Sequence, residues 1–373
     1  MSRLGLLEVH RAPARFVAVL ATLTALAFLA LFLTGVASGL LRGSTAALQV
    51  GETDLVVFAD TAHHQVLRSR LPAELVAPVT FLEGVGGVGV LSVLPTTATD
   101  PTGEQRVIVL GVVNGSPPAP RTIVEGRFPI DGEPNVAAVD VAFRDRGVQL
   151  GDTLTIAEER EVEVIGFVAD ARLQLQPTVW VPPDTFERMH RAARPETAED
   201  GLTSVLAVRV QPGSDPDAVA ARIDAELGET ETVSLPAATA AMPGVHLEQV
   251  TLRTMTALVL GVATVVVALF WTLLILDKRH LLGTLKALGA GTSHLGIATL
   301  LQALAVTAAA WLVSVVAVRL LGGILPADVP LRLDATVVGT VAGALLLATT
   351  AGIGANLWRL ARIDPSFAMG TGR

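Results

Sequence analysis

The sequence predicts an α-helical membrane protein with four transmembrane helices and a large extracytoplasmic α/β (α+β) domain between helices 1 and 2. Three observations carry this. First, residues 16–41, 254–276, 295–318 and 335–358 contain no charged side chain. As helices rising ~1.5 Å per residue, each is long enough to cross a hydrocarbon core of ~30 Å. Second, 51% of the 373 residues are hydrophobic and the mean hydropathy is +0.57, yet aromatics make up only 4% and tyrosine is absent. That apolar content is mostly Ala, Val and Leu, as in lipid-facing helices. Third, the net charge of −8 is unevenly spread: residues 42–247 carry 29 acids and 15 arginines, and the remainder 12 bases and 6 acids. An acidic middle with basic flanks fits a domain on one side of a membrane with cytoplasmic ends on the other, and argues against nucleic acid as a partner.

Residues 1–15, with Arg3, Arg11 and Arg15 among leucines, read as a cytoplasmic interfacial segment. The run 16–41 exceeds the ~7–15 apolar residues of a cleavable signal, so it is expected to stay as transmembrane helix 1. Residues 42–247 hold no further span. Strands are expected at 54–58, 106–113, 135–141, 153–156, 161–168, 178–181, 204–210 and 231–235, with helices at 61–70 and 216–227. The layout is an α/β subdomain built from both ends, interrupted by a β-rich insert at about 118–183. Helix 2 (254–276), a basic cytoplasmic loop (277–294), helix 3 (295–318), an outer loop (319–334), helix 4 (335–358) and a cytoplasmic tail (359–373) complete the chain. The loop holds Lys278 and Lys286, the two lysines of the chain, with Arg279. The positive-inside rule therefore places it, and both termini, in the cytoplasm. Two lysines against 25 arginines point to a GC-rich bacterial genome and so to a bacterial inner membrane.

Few residues suggest catalysis. Residues 84–89 (GVGGVG) match a dinucleotide-binding pattern, but no helix is expected after them, so they read as a glycine-rich strand or turn. No P-loop motif is present, and without cysteine there are no disulfides or cysteine-held metals. The histidines show no metal-ligand spacing. His63 and His64 form a pair on the expected helix 61–70. Gly261 and Ala263, and the pair Gly339 and Gly343, are expected to let helices pack closely.

The strongest motif is Gly283-Thr284-Leu285-Lys286-Ala287-Leu288-Gly289-Ala290. It resembles the segment after the second span of FtsX/MacB-type ABC transporter permeases, "G-x-L-[RK]-A-[LI]-G-A". Residues 358–365 (WRLARIDP) resemble that family's "A-x-[RK]-[ILV]-[DS]-P" ending, with the spacer after Ala361 missing. His280-Leu281-Leu282 stands where the family often has a glutamate. The resemblance implies a non-catalytic permease subunit, a homodimer working with two copies of a separate ABC ATPase that uses the ATP. No cofactor of its own is implied, and the remaining partner is membrane lipid.

The implied ATPase-coupling residues are Lys278, Arg279, Leu281, Leu285, Lys286, Leu288 and Gly289. The leucines recur at helical spacing for an apolar groove, and the cations suit acidic ATPase residues. Within the family the middle of the chain is most similar to the DevC/HrtB-like branch. HrtB-type permeases export haem, for which His63, His64 and Met255 are the candidate ligands. Two alternatives stand: an FtsX-like signalling subunit regulating an envelope partner, and a membrane-anchored binding protein without an ATPase.

Overall fold

A computed structural model describes residues 13–157, 160–169, 171–194, 201–242, 250–252, 254–269, 272–273, 292–325 and 331–361. The chain divides into two compact units, residues 1–39 with 251–373, and residues 40–250.

In the first unit, four helices among the described residues are long and apolar enough to cross a membrane: Val17–Leu48, Val250–Leu269, Leu300–Gly322 and Ala335–Gly354. They are called spans 1 to 4. The helix of span 1 runs over Pro13–Thr45, and at 33 residues is about 50 Å long, longer than a hydrocarbon core requires. Leu23, Ala27, Ala30 and Leu31 of span 1 share one core with Val267, Ala303, Ala310, Val341, Leu345 and Ala348 from the other three spans. Many of these are alanine, which lets helix backbones approach where no hydrophobic effect drives them together. Polar bonds supplement this packing. The Thr307 and Thr349 hydroxyls meet at 3.0 Å, and Ser314 Oγ donates to the Thr24 carbonyl at 2.9 Å.

The glycine expectation is corrected here. A β-carbon at Gly261, Gly339 or Gly343 would meet nothing within 4 Å, whereas one at Gly352 would lie 2.8 Å from Ala268 Cα. Ala263 is buried, but the close crossing of spans 2 and 4 uses Gly352.

The second unit contains, in order, β1 (Leu55–Ala59), β2 (Leu71–Pro72), α1 (Val76–Thr80), β3 (Val85–Asp100), β4 (Gly103–Gly111), β5 (Ile123–Gly126) and β6 (Val136–Asp140). There follow α2 (Ala142–Asp145), β7 (Thr153–Ile156), β8 (Arg160–Val168), β9 (Thr178–Val181) and α3 (Pro183–Ala193). The unit ends with β10 (Leu202–Thr203), β11 (Val205–Val210), α4 (Pro216–Leu227), β12 (Thr230–Ser234) and α5 (Leu235–Ala240).

Its organising element is β3, 16 residues long. The first part of β3 pairs with β11 up to Leu91 and completes an antiparallel sheet of order β12-β1-β11-β3. From Ser92 onward β3 pairs with β4 instead, and the path continues β4-β9-β6-β8. Strand β7 pairs with both β8 and β3, so these six strands close into a ring. Side chains two apart point into it: Val107 and Val109, Ala137 and Val139, Leu154 and Ile156, Val162 and Val164, Val179 and Val181. That is the alternation of a filled β-barrel interior.

The centre of the first sheet is buried on both faces, which is why β1 and the start of β11 read as apolar runs. Leu55, Val57, Leu206 and Val208 face Val79 of α1 and Val219 and Ile223 of α4. Val56 and Phe58 face the opposite way, into a core shared with the outer wall of the barrel at Leu110 and Trp180.

The barrel takes in more than the expected insert, since it also recruits the second part of β3 and all of β4. Strand β3 passes through Pro95. Pro95 lies after the β11 pairing ends at Leu91 and before the β7 pairing begins at Ala98, so β3 has one neighbour there and tolerates a missing N–H. The expected helix 61–70 is not formed. Residues 60–62 make a short 3-10 turn, and His63 and His64 both adopt left-handed backbone angles, φ 51° and 58°, which ends helical progression. The chain folds back so that buried Ser69 accepts a hydrogen bond from the Ala59 amide at 3.0 Å.

Candidate functional site

The residues gathered at the root of the large domain, where the helix of span 1 ends, form the candidate site. Ser44, Thr45, Ala46, Ala47 and Leu48 are all buried. A helix end leaves carbonyls without partners. Here they are met from the barrel side of the domain. The amides of Leu175 and Gln174 donate to the carbonyls of Gly43 and Ser44 at 2.9 and 3.0 Å, and the Ala47 amide donates to the Arg172 carbonyl at 2.9 Å. Residues 173–176 form a two-residue hairpin closed by reciprocal backbone bonds between Leu173 and Gln176. Both central residues are left-handed, Gln174 at φ 50° and Leu175 at φ 63°. Such turns ordinarily carry Asn-Gly. A non-glycine residue held there costs on the order of 1–3 kcal/mol.

Beyond the helix, a second segment straps the root. The Glu52 amide donates to the Pro117 carbonyl at 2.7 Å, and the Arg121 amide to the Val50 carbonyl at 3.1 Å. The Glu52 carboxylate pairs with both Arg121 and Arg209. On the outgoing side, Ser234 caps α5 by accepting from the Ala237 amide, and the Leu235 amide donates to the Asp54 carbonyl at 2.8 Å. Ala238 and Met242, which lead towards span 2, lie in the same apolar core as Ala47, Leu48, Phe58 and Trp180. The chain therefore enters and leaves the domain through one cluster of side chains.

Two titratable groups lie further out. The Asp100 side chain has no solvent exposure and receives Arg146 Nε at 2.5 Å and Nη2 at 3.2 Å. Burial acts to raise its pKa, but hydrogen bonds from Arg146 and Thr102 outweigh this and hold it below the ordinary carboxylate range. His190 on α3 stacks on Phe186 with ring centroids 5.8 Å apart. Burial lowers its pKa, and the charges of Arg70 and Arg194 lower it further.

A MacB-like periplasmic core domain matches residues 16–226, more than half of the chain. The chain belongs to the FtsX/MacB-type ABC transporter permeases. An FtsX-like permease C-terminal domain matches residues 253–365 of the permease as well. Among solved structures, the extracellular domain of the noncanonic ABC-type transporter YknZ from Gram-positive bacteria is 15% identical. The match covers 48% of this chain and 99% of that one, with a TM-score of 0.37. The periplasmic region of MacB from Actinobacillus actinomycetemcomitans is 12% identical over 50% of this chain and 91% of that one, with a TM-score of 0.38.

The permease thus carries its large domain outside the cytoplasm, between the first and second of four spans. Permeases of this family work with an ATPase partner. The expected coupling residues Lys278, Arg279, Leu281, Leu285, Lys286, Leu288 and Gly289 lie outside the described residues. His63 is exposed, and His64 lies against Phe58 with Nε2 2.8 Å from Glu231 Oε1, a close contact rather than an aligned hydrogen bond. Met255 is 59% exposed on span 2, in the other unit. Among the described residues, no group of three or more His, Asp or Glu gathers to hold a metal. The sequence reading missed the cap by residues 172–176, because Gln174-Leu175 carries no turn signature.

Proposed function

We propose that the permease is the membrane subunit of an ATP-driven exporter, a homodimer that pairs with two copies of a separate ABC ATPase. It passes the motion of that ATPase to the extracytoplasmic domain and moves a hydrophobic or amphipathic substrate (haem, lipid, peptide or drug) out of the membrane. The observation that supports this most is the root. Ala47 and Leu48, which directly follow the span 1 helix, are buried in the core that also holds Ala238 and Met242 on the outgoing chain. A displacement of the end of span 1 is thereby applied to the domain's interior. The absence of charged side chains from the four apolar runs disfavours a hydrophilic pore through the spans. On this reading the loop 277–294 docks the ATPase, with Leu281, Leu285 and Leu288 in an apolar groove and Lys278, Arg279 and Lys286 on acidic residues. Both termini are cytoplasmic.

The test is co-purification of the permease with an ABC ATPase in nanodiscs, comparing wild type with Leu285→Asp/Leu288→Asp. ATP hydrolysis is read with and without haem. ATPase captured by wild type and lost from the variant supports the reading, and stimulation by haem selects the haem-exporting branch. ATPase capture with no response to haem, lipid, peptide or drug turns the reading towards a signalling subunit regulating an envelope partner. No ATPase capture by wild type removes the exporter.

A further inference from the structure

Among the described residues, segment 172–176 holds the end of span 1 to the barrel by backbone bonds, and the geometry of its hairpin is costly. Both turn residues are left-handed, and neither is Gly, Asn or Asp. That conformation aims two successive amides the same way, and they are received by two successive helix-terminal carbonyls, those of Gly43 and Ser44. Leu175 is 38% exposed, so apolar burial accounts for only part of its placement. A β-carbon at Gly43 would come within 2.8 Å of Leu175 Cδ2, so the hairpin lies close against the helix end. The Ala47 amide adds a third bond, to Arg172. Ala47 and Leu48 also share an apolar core with Leu110, Leu173 and Trp180 on the barrel side, and the sheet reaches the barrel along β3.

We infer that residues 172–176 are a backbone latch fastening the end of span 1 to the barrel, and that the latch holds through the left-handed conformation of Gln174 and Leu175 rather than through the Leu175 side chain. Its use in transmitting ATPase motion rests on the proposed function; its existence does not. A latch of this kind makes the barrel follow span 1 through backbone bonds, while a released latch leaves the barrel to follow through apolar packing and β3.

The experiment is hydrogen exchange on the full-length permease in nanodiscs, without ATPase, for wild type and four variants at one position. Leu175→Gly and Leu175→Asn tolerate the left-handed region; Leu175→Val and Leu175→Pro do not. The expected result is wild-type protection of the amides of residues 43–48 and 172–176 in the Gly and Asn variants. In the Val and Pro variants their exchange accelerates by about tenfold. A role in side-chain packing gives the opposite order, with Val best retained and Gly worst. That order, or equal behaviour of all four, overturns the latch.

A second reading uses spin labels at Gln49→Cys and Thr153→Cys, which the cysteine-free chain allows without background. Their distance distribution should broaden with Leu175→Val and stay narrow with Leu175→Gly; a distribution unchanged by both shows that the hairpin does not hold the barrel. Because the ATPase is absent from both measurements, failure of the exporter reading leaves their outcome intact.

Discussion

Gly89 of β3 lies directly beneath Ser116: a β-carbon at Gly89 would come within 2.7 Å of Ser116 Cβ and 2.8 Å of Pro118 Cδ. Residues 85–89 of the glycine-rich stretch are therefore part of β3, with Gly89 covered by the turn after β4, and not a phosphate-binding loop. Ser116 and Pro118 belong to a strap tied back to Val50 and Glu52, so they have little freedom to withdraw. Gly89→Ala is expected to destabilise the large domain by about 1–3 kcal/mol, the usual cost of overpacking. Thermal unfolding of the full-length permease in detergent measures it. An unchanged midpoint would mean that the strap moves aside freely.

The Asp100–Arg146 pair gives a prediction with a definite pH sign. The folded state holds the Asp100 pKa below its unfolded value of about 3.9. Its stabilisation is therefore complete above that value and is lost as pH falls through the lower, folded pKa. Asp100→Asn should lower stability by about 1–3 kcal/mol at neutral pH, and the gap to wild type should narrow below about pH 4. Denaturant titrations at several pH values decide this. A gap that stays constant into acid shows that the charge of Asp100 is irrelevant.

His190 has the opposite kind of charge but the same slope. Burial first, then Arg70 and Arg194, favour its neutral form in the fold. Stability is whole above the unfolded value of about 6.5 and declines as pH drops below it, towards the folded pKa. His190→Gln should flatten the stability profile between about pH 7 and pH 5. If the variant declines as steeply as wild type, other groups account for the slope.

These features differ in how visible they were in the sequence. The spans declare themselves because charge-free runs of that length have few soluble explanations. Strands β7 and β9 and helix α4 were also legible, the last because Asp215 caps it and Pro216 sits at its first position. Pro183 likewise sits at the start of α3, but no helix is expected there from the sequence, although Phe186 and Met189 on it are buried. Barrel closure was not legible, since the β7 pairing with β3 joins residues far apart in sequence and leaves no local signature. The two left-handed pairs, His63-His64 and Gln174-Leu175, were invisible for a different reason. Their local preferences disfavour what tertiary contacts impose. Of the expected functional residues, the ATPase-coupling set lies outside the described residues, whereas the root of the domain emerged only from the fold.

The crossing of spans 2 and 4 offers the last prediction, because open glycines on the same helix serve as its controls. A β-carbon at Gly352 would lie 2.8 Å from Ala268 Cα and 3.2 Å from its carbonyl oxygen, and backbone cannot rotate away as a side chain can. Gly339 and Gly343 on the same helix have open space where their β-carbons would be. Gly352→Ala should therefore push the two spans apart and lower resistance to detergent-induced unfolding. Gly339→Ala and Gly343→Ala should be neutral or slightly stabilising, since alanine is the better helix former. If all three substitutions cost the same, the Gly352 contact has no special place in the packing. If Gly339→Ala and Gly343→Ala alone are costly, and only at concentrations where the permease self-associates, their open face is where a second copy packs.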